Sequence, residues 1–173
     1  VGAIHRAVVN LISHEAALLG VRPGVPVLQY ASVSFDASVS QIFLTLTHGG
    51  RLVLASDEQR RSREALTGLL RDHAVEVAHV PPSALPLIDA EGLGALRVLK
   101  VGGEACHAAM VAPFARGRRI VNSYGPTEAT ITTATWEGPL PAGPLPLGRA
   151  NANNQLHVLS PTLLRAPVGI QGE

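Results

Sequence analysis

The sequence predicts an α/β fold: a mainly parallel sheet covered by helices, with a more β-rich part toward the C-terminus. Three observations predict it. Short apolar, β-branched runs such as Arg51 to Ala55 (RLVLA) alternate with amphipathic stretches of about ten residues, the signature of a parallel sheet with helical crossovers. Gly and Pro stand at the junctions, as in Pro23-Gly24, Gly49-Gly50, Pro81-Pro82 and Gly102-Gly103. After Glu128 the alternation gives way to a β-prone run and a Pro-rich connector.

In order, Ala7, Val8, Leu11, Ile12, Leu18 and Leu19 recur at helical spacing and predict a helix from His5 to Leu19, ended by Gly20 and Pro23-Gly24. Val27 to Val33 reads as a strand. Ser34-Phe35-Asp36 leads into a helix from Ala37 to Thr47, with Asp36 at its N-cap position. Arg51 to Ala55 is a strand, and Arg60 to His73 a helix with Leu66, Leu69 and Leu70 on one face. Glu76 to Val80 is the next strand, closed by two prolines and followed by a short helix from Ser83 to Ile88. Leu96 to Val101 and the run into Tyr124 are strands flanking a helix from His107 to Ala115. Thr130 to Trp136 is β-prone, Gly138 to Gly148 is the connector, and Gln155 to Leu159 is predicted as a last strand.

Composition excludes several classes. Of the 173 residues, 46% are apolar and 16% charged, which is a globular balance and not a disordered one. The formal net charge is +1, so no basic field for nucleic acid exists. The two arginine-rich runs, Arg60 to Arg63 and Arg116 to Arg119, read as solvated faces or loops. Cys106 is the only cysteine and reads as a small buried thiol, which excludes an internal disulfide and sets a reducing, cytoplasmic compartment as the default. No apolar stretch is long enough to span a bilayer. The remaining histidines show no metal-ligand spacing, and no P-loop, GxGxxG or GxSxG pattern occurs. The chain opens on Val1 and closes on Gly172-Glu173, and both ends read as cut.

The richest cluster of ligand-type groups is Asn122 to Ile131, NSYGPTEATI. A β-branched strand end is followed there by a flat aromatic ring, a Gly-Pro turn, a hydroxyl and a carboxylate, which reads as a ligand rim at the carboxyl end of a sheet.

That stretch, together with SFDASVSQIF at Ser34 to Phe43 and GGEA at Gly102 to Ala105, resembles the adenylation domains of nonribosomal peptide synthetases, members of the adenylate-forming enzyme superfamily. HRAVVNL near the start and PLGRANANNQLHVLS near the end agree with it in order and spacing. The resemblance covers essentially residues 1–173. It implies a partial domain truncated at both ends, taken from the middle of the large N-terminal subdomain and lacking the phosphate loop, the ribose-binding aspartate and the C-terminal lysine. The chain by itself is expected to be inactive.

By resemblance, the parent protein uses ATP and Mg to convert an amino acid to aminoacyl-AMP and loads it on the phosphopantetheine thiol of a carrier protein, with condensation domains as further partners and secondary metabolites as products. Tyr124 would stack on adenine, with Gly102, Gly103 and Glu104 on the other face and Asn122, Ser123 and Gly125 around it. Thr127 would hydrogen-bond a phosphate and Glu128 would hold Mg, a hard cation suited to carboxylate oxygen. The family's substrate pocket falls on Asp36, Ala37, Ser40, His79, Lys100, Gly102, Ser123, Ile131 and Thr132. Asp36 would pair with the α-ammonium, which argues against the alternative of an acyl- or aryl-CoA ligase; a non-catalytic docking module is the second alternative. Lys100, the only lysine, lies on a strand that is otherwise apolar, so it either reaches solvent or meets an anionic or strongly polar group. With His79 beside it, this predicts a substrate with a polar or acidic side chain.

Overall fold

The computed structural model describes all 173 residues. Its centre is one seven-stranded sheet in the order β2-β1-β3-β4-β5-β6-β7. The strands are β1 (Pro26–Gln29), β2 (Arg51–Leu54), β3 (Val77–Val80), β4 (Val98–Gly102), β5 (Arg119–Tyr124), β6 (Ala134–Glu137) and β7 (Arg149–Ala150). The first five are parallel, and β6 and β7 run antiparallel to their neighbours. The helices are α1 (His5–Leu19), α2 (Ala37–Thr47), α3 (Arg63–Asp72) and the short α4 (Ala108–Val111). This is the mixed fold the alternation predicts.

Strand alternation assigns each side chain to one of two layers. Val27, Val77, Val98 and Val121 face α1 and α2, where they meet Ile12, Ala16, Leu19 and Leu44. Leu28, Ala78, Val80, Leu99, Val101 and Ile120 face the other way, into a larger core with Leu66 and Leu70 of α3 and Val111 of α4. Both faces of a parallel sheet must be covered, which is why its strands read as continuous apolar runs.

Several boundaries differ from the sequence reading, each for a local reason. β1 stops at Gln29 because the Gln41 side chain takes over the ladder: its Oε1 accepts from the Tyr30 and Ala31 amides at 3.0 and 2.9 Å. The predicted helix from Arg60 splits at Ser62, whose extended backbone (φ −118°, ψ 123°) ends a 3-10 turn at Gln59–Arg61 and whose hydroxyl caps α3 through the Ala65 amide. Residues Pro82–Leu87 form a 3-10 turn, not an α-helix, with Pro86 inside it. Pro113 likewise ends α4 early and leaves a 3-10 turn at Ala112–Phe114.

Two expectations are corrected. Gln155 to Leu159 is no strand: Leu159 forms an isolated bridge to Arg165 and exchanges backbone hydrogen bonds with Glu173, and Leu156 and Val158 stay exposed. The last strand is β7 instead, set beside β6 by Gly148. At φ +91°, Gly148 lies so close to the Thr135 carbonyl that any Cβ would collide with it. The Arg116 to Arg119 run is also more than a solvated face. Arg118 donates to the carbonyls of Ala90, Leu93 and Leu96 at 3.1, 3.0 and 3.2 Å, and Arg119 pairs with Glu137 across β5 and β6. No helix is long and apolar enough to cross a membrane.

Candidate functional site

Chain order fixes where a ligand can sit. From β1 the chain moves outward to β2 and then returns past β1 to β3, so the winding reverses between β1 and β3. In open α/β sheets such a reversal opens a crevice beyond the carboxyl ends of the two strands. β1 and β3 pair only at Val27 and Val77 and then splay. Gln41 bridges the gap, accepting from Tyr30 and Ala31 on one side and donating to the His79 carbonyl at 2.9 Å on the other. Above it lies a cleft of about 400 Å³ whose lining includes Tyr30, Asp36, Ala37, His79, Gly102 and Glu104.

Asp36 stands at the N-terminus of α2, but its side chain makes no capping bond there. It accepts instead from the Thr127 hydroxyl at 2.6 Å, a contact spanning 91 residues of sequence. The Asp36 carboxylate is half-buried and takes part in no ion pair. It therefore retains acceptor capacity for a cation entering the cleft.

The β4 and β5 ends form the next wall. A Cβ on Gly102 would meet the Ser123 carbonyl at 2.8 Å and collide with the Ser123 hydroxyl, so only glycine permits the two strands to stay this close. Gly103 then turns at φ +82° with open space beside it. Glu104 is tied down by Ser83, whose amide and hydroxyl donate to its carboxylate at 3.1 and 2.8 Å. Ser123 donates to the Val101 carbonyl at 3.0 Å. The Asn122 side chain faces the opposite layer and donates to the Pro146 carbonyl at 2.8 Å, with its Oδ1 and second N–H unbonded.

The turn after Tyr124 carries the local strain. Thr130 and Ile131 are β-branched yet adopt φ of +65° and +68°, a sparsely populated region for such residues. The turn folds back so tightly that a Cβ on Gly125 would meet the Ile131 carbonyl at 2.5 Å. Its return brings the Thr133 amide to the Tyr124 carbonyl at 2.8 Å, which fixes the backbone of Tyr124 and leaves its ring 48% exposed. Thr127 and Glu128 lie on the exposed 3-10 turn Thr127–Ala129, and Glu128 is in no ion pair. Thr132 is buried and lines a second hollow, beside α1.

Of the nine pocket positions, Asp36, Ala37, His79 and Gly102 line the cleft, with Ser123 behind Gly102. Ile131 and Thr132 sit on the strained turn, away from the cleft lining. Ser40 and Lys100 lie behind the cleft, 1% and 0% exposed. The reason is Glu15, a residue that sequence reasoning alone misses. Glu15 projects from α1 and is itself 0% exposed; its carboxylate takes the Lys100 ammonium on one oxygen and the Ser40 hydroxyl on the other, the latter at 2.5 Å. Of the two expectations for Lys100, solvent or an anionic or strongly polar partner, the second holds, but the partner is the internal Glu15, so Lys100 is no ground for expecting an acidic substrate. A signal for Glu15 exists in the sequence: it is four residues from both Leu11 and Leu19, in the buried stripe of α1.

Electrostatics follow from this cluster. Burial works against the Glu15 carboxylate, but the Lys100 charge, His79 and the hydrogen bonds from Lys100 and Ser40 overcome it and hold its pKa below the ordinary value. His79, paired in register with Lys100, is pushed down to about 3, first by desolvation and then by the neighbouring ammonium, with Glu15 only partly offsetting them. The imidazole facing the cleft is neutral. Burial raises the pKa of the Cys106 thiol, which disfavours the thiolate form.

Comparison with known proteins gives the family. The family model "AMP-binding enzyme" matches residues 2–173. Bacitracin synthase 3 of Bacillus licheniformis is 35% identical over 166 residues, covering 95% of this chain and 3% of that protein. Tyrocidine synthase 1 of Brevibacillus parabrevis is 30% identical over 172 residues, covering 98% and 16%. The chain thus spans a small part of the length of these relatives. Among solved structures, the nonribosomal peptide synthetase FmoA3 superposes with a TM-score of 0.86 at 26% identity, covering 95% of this chain and 19% of that one. The Vibrio cholerae adenylation domain AlmE shares the fold, with a TM-score of 0.82 at 23% identity over 96% of this chain and 34% of that one. With the winding reversal, the Gly102 to Glu104 wall and the Tyr124 to Glu128 turn all inside the matched residues, this chain belongs to the AMP-binding enzyme family.

Proposed function

We propose that the protein containing this chain is an amino-acid-activating adenylation enzyme of nonribosomal peptide synthesis, and that residues 1–173 contribute part of its adenylation domain. The observation that carries the reading is Asp36: a half-buried carboxylate with no ion pair, held by Thr127 at the mouth of a switch-point cleft. A buried ammonium requires such a partner. In the reaction, a carboxylate oxygen of the amino acid forms a bond to the α-phosphorus of ATP as the bond to the pyrophosphate leaving group breaks. The chain's contribution is positioning and charge stabilisation, with no covalent protein intermediate.

The residues present suit ATP and Mg. Tyr124 offers an open ring face, and the Gly102 to Glu104 backbone has no side chain in the way at Gly103. Glu128 is an exposed carboxylate, free of internal partners, that would hold Mg, whose charge would help neutralise the phosphates. Thr127 has a hydroxyl for phosphate, donated here to Asp36. Carrier-protein phosphopantetheine and condensation domains are the proposed partners, and the cytoplasm the proposed location.

The test is amino-acid-dependent exchange of labelled pyrophosphate into ATP by the intact protein. Asp36→Ala is expected to lower exchange by ~100-fold or more, the usual cost of stranding a buried charge. Unchanged exchange in that variant, or consumption of an acid that lacks an ammonium with coenzyme A as acceptor, would count for a CoA ligase instead.

A further inference from the structure

The sealed cluster behind the cleft bears on what the cleft admits, given the reading of it as an amino-acid site. Lys100 and Ser40 do not reach the cleft, although Lys100 is in register with His79 and Ser40 lies three residues after Ala37 on α2. Glu15 retains both, one per carboxylate oxygen. The charges of Glu15 and Lys100 cancel within the cluster, so a substrate carboxylate would have to displace Glu15 and leave it buried without a partner. Beside the cluster, Ser123 fills the space that Gly102 leaves empty, with the His79 Nε2 3.5 Å from where a Cβ of Gly102 would stand.

We propose that Glu15 is a specificity-determining positioning residue: by holding Lys100 and Ser40 in a closed cluster it ends the substrate side of the cleft at His79 and Gly102, so the substrate is an α-amino acid with a small, uncharged side chain. Glu15 touches no substrate. It acts by keeping Lys100 out of reach, and the polar side chains left at that end, His79, Gln41 and Ser123, are all uncharged, with Gln41 and Ser123 already bonded to backbone carbonyls.

The experiment is a pyrophosphate-exchange profile of the intact protein against glycine, alanine, serine, aspartate, glutamate, leucine and phenylalanine, followed by two variants. The wild type is expected to favour glycine, alanine or serine by ~10-fold or more in kcat/KM, the discrimination typical of a pocket too short by a methylene or two. Glu15→Ala releases the Lys100 ammonium and is expected to raise aspartate or glutamate relative to alanine by ~10-fold or more, a change of preference that a merely structural role would not produce. Where that variant fails to fold, E15L/K100A removes both charges together and opens the floor, and leucine is expected to gain on alanine by a similar factor. A wild-type preference for aspartate, glutamate, leucine or phenylalanine overturns the proposal, as does an unaltered profile in a folded variant. Exchange with none of the amino acids removes the amino-acid reading of the site itself, and this inference with it.

Discussion

The two faces of the sheet are built on different principles. The face toward α3 and α4 is apolar along β1 to β4, a single cluster running from Leu28 and Val53 to Ile120 and Leu145, with Asn122 of β5 as its one buried polar side chain. The face toward α1 and α2 begins the same way, with Val27, Val77, Val98 and Val121, but two residues further along each strand it turns polar at Gln29, His79, Lys100 and Ser123. Three side chains of that second row are answered by a helix or by the backbone, Gln29 by the Ala31 carbonyl, Lys100 by Glu15 and Ser123 by the Val101 carbonyl, while the His79 imidazole faces the cleft and only its backbone carbonyl is bonded, by Gln41. The lesson is one of division of labour. An apolar layer tolerates approximate packing, whereas a buried polar row demands one geometry, and it is the polar row that stands next to the cleft.

The largest expected effect breaks that row. Lys100→Met leaves Glu15 buried without its counter-ion and is expected to cost ~3–5 kcal/mol in urea unfolding. The opposite face supplies the control, Leu99→Ala, at ~2–5 kcal/mol from lost contacts and a cavity. The two diverge on rescue. Adding Glu15→Leu to Lys100→Met removes both charges and is expected to restore stability to the wild-type level or above, by as much as ~1–4 kcal/mol. A double variant no more stable than Lys100→Met alone would mean that the row is not held by paired charge.

A subtler contrast is set by pH. His79 is held to about 3 in the folded protein against 6.5 in an unfolded chain, so between those values the unfolded state binds more protons. Stability from the neutral His79 is therefore fully present above pH 6.5 and is lost as pH falls toward 3. Glu15, also depressed, contributes with the same sign in the carboxylate range. His79→Asn is expected to flatten the part of the acid limb that begins just below the ordinary histidine pKa. The apolar face has no comparable titrating group, and Leu99→Ala should shift the whole curve without reshaping it.

Much of this is legible in the sequence where a local pattern carries it. The bounds of α1 and α2 follow from their apolar stripes and the glycines beyond them, and the parallel sheet follows from the alternation of elements. What is not legible depends on contacts between distant parts of the chain. Lys100 and Glu15 are 85 residues apart, and Asp36 and Thr127 are 91 apart. Strand β7 has only two residues, Arg149 and Ala150, too short for any alternation to show, and is set by the close approach of Gly148 to β6. The need of Lys100 for an anion can be read from its apolar strand, but along the sequence Glu15 reads as a polar interruption of α1, which leaves a substrate as the only anion in view.

Helix N-termini give the smallest expected effect and the sharpest version of the contrast. On the apolar face, α3 begins at Ser62, whose hydroxyl accepts from the Ala65 amide, with Glu64 in its first turn to complement the helix dipole. Ser62→Ala is expected to cost ~1 kcal/mol in urea unfolding with no effect on pyrophosphate exchange. On the polar face, α2 begins at Asp36, a residue type that caps well but makes no capping bond here. Its one contact, with Thr127, is exposed, so Asp36→Ala is expected to change stability by no more than ~1 kcal/mol while the exchange reaction is lost. A stability loss clearly above that of Ser62→Ala would mean that Asp36 is a structural cap after all, because a carboxylate kept free for a ligand's ammonium leaves stability almost unchanged when it is removed.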